Sequence, residues 1–218
     1  MKERCQVLAI IQALKERYPD AICSLQYEKD YELLFAVRLS AQCTDERVNK
    51  VTPALFRRFP TLESFAQADP AEVGEYIHSC GFYNGKSKDL VNCARMLIGE
   101  YDGKVPSAME DLLRLPGVGR KTANLIQGDV FQTPGVVVAD THCIRISGRL
   151  GLTDGTKDPK RVEEQLRAIL PPEESNDFCH RLVLFGREVC TARKAFCELC
   201  PLSDWCSHYQ SSGGAREQ

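Results

Sequence analysis

The feature that most constrains this chain is a group of four cysteines close to its C-terminal end. Cys190, Cys197, Cys200 and Cys206 follow the spacing C-x6-C-x2-C-x5-C. The short C-x2-C pair and the two flexible flanks allow all four sulfurs to converge on one centre. A zinc ion would accept four such ligands, and so would a [4Fe–4S] cluster. A pair of disulfides is the third interpretation of the spacing.

The other cysteines argue against disulfides. The chain has 218 residues, which is too long for a small disulfide scaffold. It has eleven cysteines, an odd number that cannot all be paired within one chain. The remaining seven are scattered, mostly among apolar neighbours, as reduced core residues are: Cys5, Cys23, Cys43, Cys80, Cys93, Cys143 and Cys179. The apolar run 7–11 is too short for a secretory signal, and no run approaches a membrane span. We therefore expect a protein of the reducing cytoplasm that does not associate with membranes.

A second motif, LPGVGRKTAN, occupies residues 115–124. The stretch 108–113 before it is predicted to form a short helix, which the Pro-Gly-Val-Gly run ends, since two glycines permit positive φ and close backbone approach. A new helix is predicted from about Arg120. The amides of Gly117, Val118 and Gly119 and the start of that helix would then face an anion. With Arg120 and Lys121 adjacent, the motif predicts a nucleic-acid phosphate site that does not read base sequence. An ordinary tight turn between two helices is the alternative.

Net charge gives only mild guidance. The formal charge is −2 and the pI is about 6.1, whereas nucleic-acid-binding domains usually carry a basic excess. Phosphate contacts act locally, within a Debye length of about 8 Å. Between Arg114 and Arg149 there are five basic residues and two acidic ones, a local excess of three positive charges. This distribution is compatible with a basic face on an acidic protein.

Apolar periodicity predicts an all-α fold. Helices are expected over 3–17 and 31–39, and Thr44 has the position of an N-cap for the next helix. Further helices are expected near 46–58, 61–66, 70–80, 86–101, 107–114, 120–131, 141–150, 159–170 and 175–188. The three valines 136–138 favour a strand by composition, but three residues cannot build a sheet. The tail from 211 to 218 is predicted to be disordered.

Taken together, these motifs resemble the endonuclease III family of DNA glycosylases. The resemblance rests on LPGVGRKTAN, on Asp140-Thr141-His142, and on the four-cysteine spacing, in that order along the chain. It also includes LSAQ at 39–42 with Thr44 and Asp45, the sequence GFYN at 81–84, and Arg193-Lys194 within the cysteine loop. It covers nearly the whole chain, to about Tyr209.

The resemblance implies two helical domains with a helix-hairpin-helix motif and a C-terminal [4Fe–4S] cluster loop. Residues 22–133 would form one helical bundle that ends with the helix-hairpin-helix. Residues 1–21 and 134–218 would form the iron–sulfur domain. The cluster, held by the four cysteines named above, would be structural rather than catalytic.

The implied chemistry depends on Lys121 and Asp140. A lysine amine can attack C1′ of a damaged nucleotide, displace the base and leave a Schiff base that undergoes β-elimination. Lys121 lies in the predicted first turn of a helix, whose positive end disfavours an ammonium. The alternative for Lys121 is a phosphate contact. Asp140 is predicted on sequence grounds to be the N-cap of the next helix. The resemblance adds a role in stabilising a cationic sugar or in deprotonating the lysine.

A base must leave the duplex before an amine can reach C1′. The resemblance assigns Gln42 to fill the vacated stack and Phe82 to wedge between bases. A buried polar turn and a core aromatic are the alternatives for these two residues. Arg193 and Lys194 are expected to contact phosphate, with a solvated loop as the alternative. His142 and His180 are interpreted as structural.

The sequence therefore predicts a bifunctional DNA glycosylase with abasic-site lyase activity that excises oxidised pyrimidines from duplex DNA. We expect a monomer in the cytoplasm, associated with the nucleoid, of bacterial type. A mismatch glycosylase for adenine or for thymine and uracil on the same fold is one alternative. The second alternative is a non-catalytic iron–sulfur sensor of DNA damage or redox state.

Overall fold

The computed structural model describes residues 2–212. The described chain is helical, as predicted, and its one β-type pairing is an isolated antiparallel bridge between Cys190 and Ala195. The α-helices are α1 (Arg4–Arg17), α2 (Asp30–Ser40), α3 (Asp45–Arg58), α4 (Leu62–Gln67), α5 (Pro70–Ile77), α6 (Tyr83–Tyr101), α7 (Met109–Arg114), α8 (Arg120–Asp129), α9 (Thr141–Leu150), α10 (Pro159–Arg167), α11 (Ser175–Glu188) and α12 (Ser207–Ser211).

The chain divides into two compact units, Cys23–Phe131 and the combination of Met1–Ile22 with Gln132–Gln218. The first unit contains α2 to α8 around one apolar core. Phe65 lies near the centre of that core, with its ring centroid 4.9 Å from that of Phe35 and 5.2 Å from that of Phe59. Large aromatic rings packed at these distances contribute both apolar burial and favourable edge contacts. Helices α2 to α8 therefore hold the hairpin segment on a packed core.

In the second unit, the first helix of the chain packs against α11. The buried stripe of α1 has the spacing of one helix face and consists of Val7, Ile10, Ile11 and Leu14. A polar contact joins α1 to the residue that precedes α11: Lys15 Nζ donates to Glu174, the N-cap of α11, at 2.7 Å. Residues close to the start of the chain are in this way fixed to its C-terminal half.

Several predicted boundaries are wrong in detail. Helix α6 begins at Tyr83 rather than near 86, because Phe82 takes a left-handed conformation and its carbonyl accepts from the Lys86 amide, which starts the helix early. Helix α5 ends at Ile77 and continues as a 3₁₀ turn to Cys80. Of the tail predicted to be disordered, Ser211 belongs to α12, and residues 213–218 lie outside the described range. Within the described residues, no helix has the length and apolar character needed to cross a membrane.

Candidate functional site

The hairpin between α7 and α8 has the geometry that its glycines predicted, but only one of them needs to be glycine. The Val118 amide donates to the Leu115 carbonyl at 3.1 Å, which closes the turn. Gly117 has a φ of 76°, in the left-handed region that side chains disfavour. Gly119 has a φ of −103°, and a Cβ placed there would meet nothing within 4 Å. The close approach predicted for both glycines therefore occurs at Gly117 alone.

Helix α8 starts without a side-chain cap. Its N-cap residue is Gly119, which has no side chain to accept from the first amides of the helix. Arg120 and Lys121 are the first two helical residues, and both are exposed. The first amides of an α-helix have no partner within the helix, and they carry the positive end of its dipole. The start of α8 therefore offers N–H groups and a lysine amine at one exposed place.

Gln42 and Phe82 line one surface pocket beside α6. Both side chains are exposed, and Phe82 retains 73% of its accessible surface. Both also have positive φ, 56° for Gln42 and 49° for Phe82. The alternative interpretations, a buried polar turn and a core aromatic, are therefore wrong. A phenylalanine at positive φ is held in a backbone conformation that non-glycine residues rarely adopt.

Asp140 caps α9 as the sequence predicted. Its Oδ1 accepts from the Cys143 amide at 2.7 Å. The residues before it, Val136–Ala139, are buried and lie outside regular secondary structure, and the Asp140 amide donates to the Val138 carbonyl at 2.9 Å. Burial and this bond fix the backbone that leads into the cap. Lys121 belongs to the unit Cys23–Phe131, whereas Asp140 belongs to the other unit. Each of the two residues is held by a helix start in its own unit.

The four cysteine side chains line one small cavity in the unit that contains α9 and α11. Arg149 Nη1 donates to the Cys190 sulfur at 3.2 Å, and the Cys206 thiol donates to the Arg149 carbonyl at 3.4 Å. Burial raises the pKa of Cys200 to about 11, and the neighbouring thiols act in the same direction. Thiols that influence one another in this way lie close together. Among residues 2–212, however, no group of three His, Cys, Asp or Glu side chains is arranged around a point that would hold a single metal ion.

Arg193 and Lys194 lie on the short turn between Cys190 and Ala195. The Thr191 hydroxyl accepts from the Lys194 amide at 3.1 Å and so closes this turn. Both basic side chains are exposed, and Lys194 Nζ lies 5.6 Å from the ring centroid of Phe196. The turn therefore presents two cations next to the cysteine cavity.

The two histidines have different surroundings. His142 Nδ1 lies 3.2 Å from Arg145 Nη2 on the same helix. His180 is buried on α11, and its Nε2 lies 3.5 Å from Asn176 Nδ2. Neither contact requires a chemical role for the ring.

Two features of the site were missed in the sequence. Arg38 and Asp89 form an ion pair, with Nη2 and Oδ2 separated by 2.7 Å, beneath the hairpin. Lys86 is buried next to Gln42 and Phe82, with only 1% of its surface accessible. The signal for Lys86 was present, because it takes a core position on the helical stripe that continues with Leu90, Cys93 and Leu97. A lysine on an apolar stripe requires polar partners from elsewhere in the fold.

Comparison with known sequences gives consistent results. Residues 35–172 match the HhH-GPD family, described as HhH-GPD superfamily base excision DNA repair protein. The chain is 46% identical over 211 residues to endonuclease III of Synechocystis sp., covering 97% of this chain and 95% of that protein. It is 38% identical over 201 residues to endonuclease III of Escherichia coli K12, covering 92% and 94% of the two chains.

Comparison with solved structures points to the same family as the sequence relatives. One is the structure of a trapped endonuclease III–DNA covalent intermediate, an estranged-adenine complex, with a TM-score of 0.91 at 38% identity. The match covers 98% of this chain and 100% of the chain in that structure. A non-covalent endonuclease III–DNA complex has the same TM-score and identity, with 98% and 99% of the two chains covered. A thermostable thymine-DNA glycosylase shares the fold, with a TM-score of 0.83 at 23% identity and coverage of 94% and 97%.

Proposed function

The chain belongs to the endonuclease III family of the helix-hairpin-helix base excision DNA repair proteins, as its motifs predicted, and we propose that it is a bifunctional DNA glycosylase and abasic-site lyase. Its substrates are oxidised pyrimidines in duplex DNA. The observation that carries the proposal is Lys121, an exposed amine at the uncapped start of α8, directly after the hairpin. The protein acts as a monomer in a reducing cytoplasm.

Lys121 is the nucleophile of this reaction. Its amine attacks C1′ of the damaged nucleotide, and the bond between the sugar and the base breaks as the base leaves. The bond between C1′ and the ring oxygen O4′ then breaks, O4′ takes up a proton, and a Schiff base remains between C1′ and the lysine nitrogen. The Schiff base loses a proton from C2′, and β-elimination breaks the bond between C3′ and its phosphate oxygen. An exposed amine is required because the sugar has to reach it from the DNA side. Lys121 meets this condition, and its neighbours in the hairpin would hold the adjacent phosphate.

Asp140 assists the same step. A carboxylate held at a helix start stabilises the positive charge that develops on the sugar, or it accepts a proton from the lysine ammonium and so frees the amine that attacks. The cap to Cys143 uses Oδ1. The second oxygen, Oδ2, is the one we assign to the chemistry. Capping and catalysis are therefore compatible in one side chain.

Gln42 and Phe82 hold the DNA open while the base is outside the stack. Extruding a base leaves a gap, and closing the duplex over that gap would oppose catalysis. An exposed phenyl ring can stack between bases, and an exposed amide can occupy the vacated position with hydrogen bonds to the estranged base. The shared pocket and the exposure of both side chains support this assignment.

Phosphates are held by backbone and basic groups. The amides of Gly117 and Gly119, together with Arg120, bind one phosphate group at the hairpin. The Val118 amide, which the sequence also placed in this site, donates instead to the Leu115 carbonyl. Arg193 and Lys194 bind a second stretch of backbone from the turn in the cysteine loop. None of these contacts reads base identity, so the protein binds duplexes of any sequence and selects substrates by what can leave the stack.

The four cysteines would hold a [4Fe–4S] cluster. The residues fit this group, because four thiols line one small cavity and Arg149 supplies a positive charge beside Cys190. Each iron of such a cluster takes one protein thiolate, and a nearby guanidinium offsets the negative charge of the thiolates. When bound, the cluster provides a rigid crosslink in the loop rather than redox chemistry for base excision. The loop then holds Arg193 and Lys194 in place against DNA.

The substrate class is tested with a panel of defined duplexes. Purified protein is incubated with duplexes that carry thymine glycol, an abasic site, a G·U pair or 8-oxoguanine, each with and without borohydride. We expect excision of thymine glycol, cleavage of the abasic site, and a covalent complex with both substrates when borohydride is present. Excision of G·U or 8-oxoguanine without action on thymine glycol would contradict the proposed substrate class.

A further inference from the structure

The buried lysine of α6, Lys86, contacts the two segments that carry Gln42 and Phe82. Its Nζ donates to the Leu39 carbonyl at 2.8 Å and to the Cys80 carbonyl at 2.8 Å. Leu39 lies three residues before Gln42, and Cys80 lies two residues before Phe82. One ammonium therefore joins the end of α2 to the end of the 3₁₀ turn that follows α5.

At the end of α2, Lys86 completes the hydrogen bonding of the terminal carbonyls. The last four carbonyls of a helix lack partners within it. Here the other three are satisfied locally, by the Ser40 hydroxyl at 2.9 Å and by the amides of Ala41 and Cys43 at 3.4 and 3.0 Å. The carbonyl of Leu39 is left for Lys86. The chain turns away from the helix axis immediately afterwards, and Gln42 adopts its positive φ within this turn.

The Cys80 carbonyl has the corresponding position in the other segment. Cys80 is the last residue of the 3₁₀ turn, and Gly81 and Phe82 follow it with φ values of 69° and 49°. Both segments therefore end a helical turn, contribute one carbonyl to Lys86, and then expose a side chain on a left-handed residue. Two such exposed residues would vary in separation if nothing fixed the backbone beneath them.

From this arrangement we infer that Lys86 is a positioning residue for base extrusion: it fixes the separation and direction of Gln42 and Phe82 so that both can enter one DNA duplex together. This inference depends on the proposed function, and it deepens the roles assigned to those two side chains. Lys86 itself is buried, so it does not need to contact DNA. A hydrophobic residue would fill the same space at lower desolvation cost, but it would leave two carbonyls without donors.

The test compares lesions that are hard and easy to extrude. Single-turnover excision of thymine glycol is measured for Lys86→Met in a fully paired duplex and in a duplex with an abasic analogue opposite the lesion. Methionine keeps the length of the side chain and removes the donors. We expect at least a tenfold loss on the paired duplex and a loss of less than threefold on the unpaired one, because little insertion is needed there. Lys88→Met, an exposed lysine on the same helix, is the matched control and should change neither rate.

A double-mutant cycle separates positioning from general destabilisation. Gln42→Ala combined with Phe82→Ala removes the side chains through which Lys86 is inferred to act. In that background, Lys86→Met should cause no further loss on the paired duplex, because the three residues work as one unit. A loss as large as in the wild-type background would overturn the inference. An equal loss on paired and unpaired lesions would overturn it as well.

Folding is checked independently of activity. Circular dichroism and urea unfolding show whether Lys86→Met retains the native fold. Where it does not, Lys86→Arg replaces it, because arginine keeps buried donors while its greater length forces the two carbonyls apart. The same ratio between the paired and unpaired duplexes is then expected, and its absence counts against the inference. Excision and borohydride trapping by the wild-type protein report on the proposed function itself, so the two failures are distinguishable.

Discussion

The backbone of Gly117 lies directly against the side chain of Arg38. A Cβ at Gly117 would lie 2.6 Å from Arg38 Nε and 2.9 Å from Asp89 Oδ2. Arg38 donates from Nε to the same Asp89 oxygen at 2.7 Å. The ion pair joins α2 to α6, and the hairpin between α7 and α8 lies on top of it. The hairpin turn is therefore positioned by a contact in which any side chain at Gly117 would interfere.

The two hairpin glycines should respond differently to alanine. Gly117→Ala places a methyl group at positive φ and against the Arg38–Asp89 pair, so it should lower the free energy of unfolding by about 2 kcal/mol. It should also weaken binding to undamaged duplex DNA, because the turn moves. Gly119→Ala has an extended φ and open space, so its stability should remain within about 0.5 kcal/mol of wild type. Urea unfolding and fluorescence anisotropy measure the two quantities.

Equal stability of these two hairpin variants would contradict the close packing at Gly117. Loss of DNA binding in Gly119→Ala alone would point to a clash with the bound phosphate rather than to packing in the free protein.

Asp140 variants should separate capping from chemistry. Asp140→Asn keeps an oxygen that can accept from the Cys143 amide, so stability should change little. Without a carboxylate, excision of thymine glycol should slow by about 10²-fold or more. Cleavage of a preformed abasic site should suffer less, since its C1′ is already electrophilic. Asp140→Ala should add a loss of about 1 kcal/mol in unfolding free energy from the missing cap. Equal effects of Asp140→Asn on both substrates would remove Asp140 from the excision step.

Metal analysis tests the assignment of the cysteines. Protein purified in air should be yellow-brown, with about four irons per chain and little zinc. Cys200→Ser should lose iron and stability, while activity per folded molecule falls less. Cys5→Ser changes an exposed cysteine outside the cavity and should retain the iron. Stoichiometric zinc without iron would show that the cavity holds a different group.

Acid stability should depend on Glu174. A hydrogen bond from Lys15 at 2.7 Å, assisted by Arg181 at 3.0 Å, holds the pKa of Glu174 below its ordinary value. The unfolded chain therefore takes up a proton first as the pH falls, so this contribution to stability is complete above about pH 4.5 and is lost as the pH drops through the lower pKa of the folded state. Urea unfolding between pH 3 and pH 7 measures the loss.

The matched variants at this site are Glu174→Gln and Glu173→Gln. Glu174→Gln should cost roughly 1.5 kcal/mol at pH 7 and should flatten the acid dependence, because the charge-assisted bonds are gone. Glu173 is the exposed neighbour of Glu174, and Glu173→Gln should leave the curve as it is. An unchanged acid slope in Glu174→Gln would mean that other carboxylates account for the dependence.

The sequence was most informative where the chemistry is local. The hairpin, the cap formed by Asp140 and the grouping of the four cysteines each depend on residues that are close along the chain, and spacing alone predicts them. The positive φ at Gly117 follows from the same local pattern.

Contacts between distant segments could not be predicted in this way. Lys86 lies 47 residues from Leu39, and Arg38 lies 51 residues from Asp89. A lysine on an apolar stripe signals that buried partners exist, but periodicity does not identify them. The sequence also did not predict whether Phe82 is exposed, since an aromatic residue before an amphipathic helix can equally lie in the core. Only the packed fold shows which carbonyls and which surfaces are available.

The most direct test of the account is covalent trapping by Lys121. Borohydride reduction in the presence of abasic-site DNA should give a stable complex with wild-type protein and none with Lys121→Gln, which should still bind DNA through the hairpin amides. Lys160→Gln is the matched control, because Lys160 is also exposed and is the second residue of a helix. It should trap as well as wild type. Undiminished trapping by Lys121→Gln would show that another amine is the nucleophile and would contradict the active site described above.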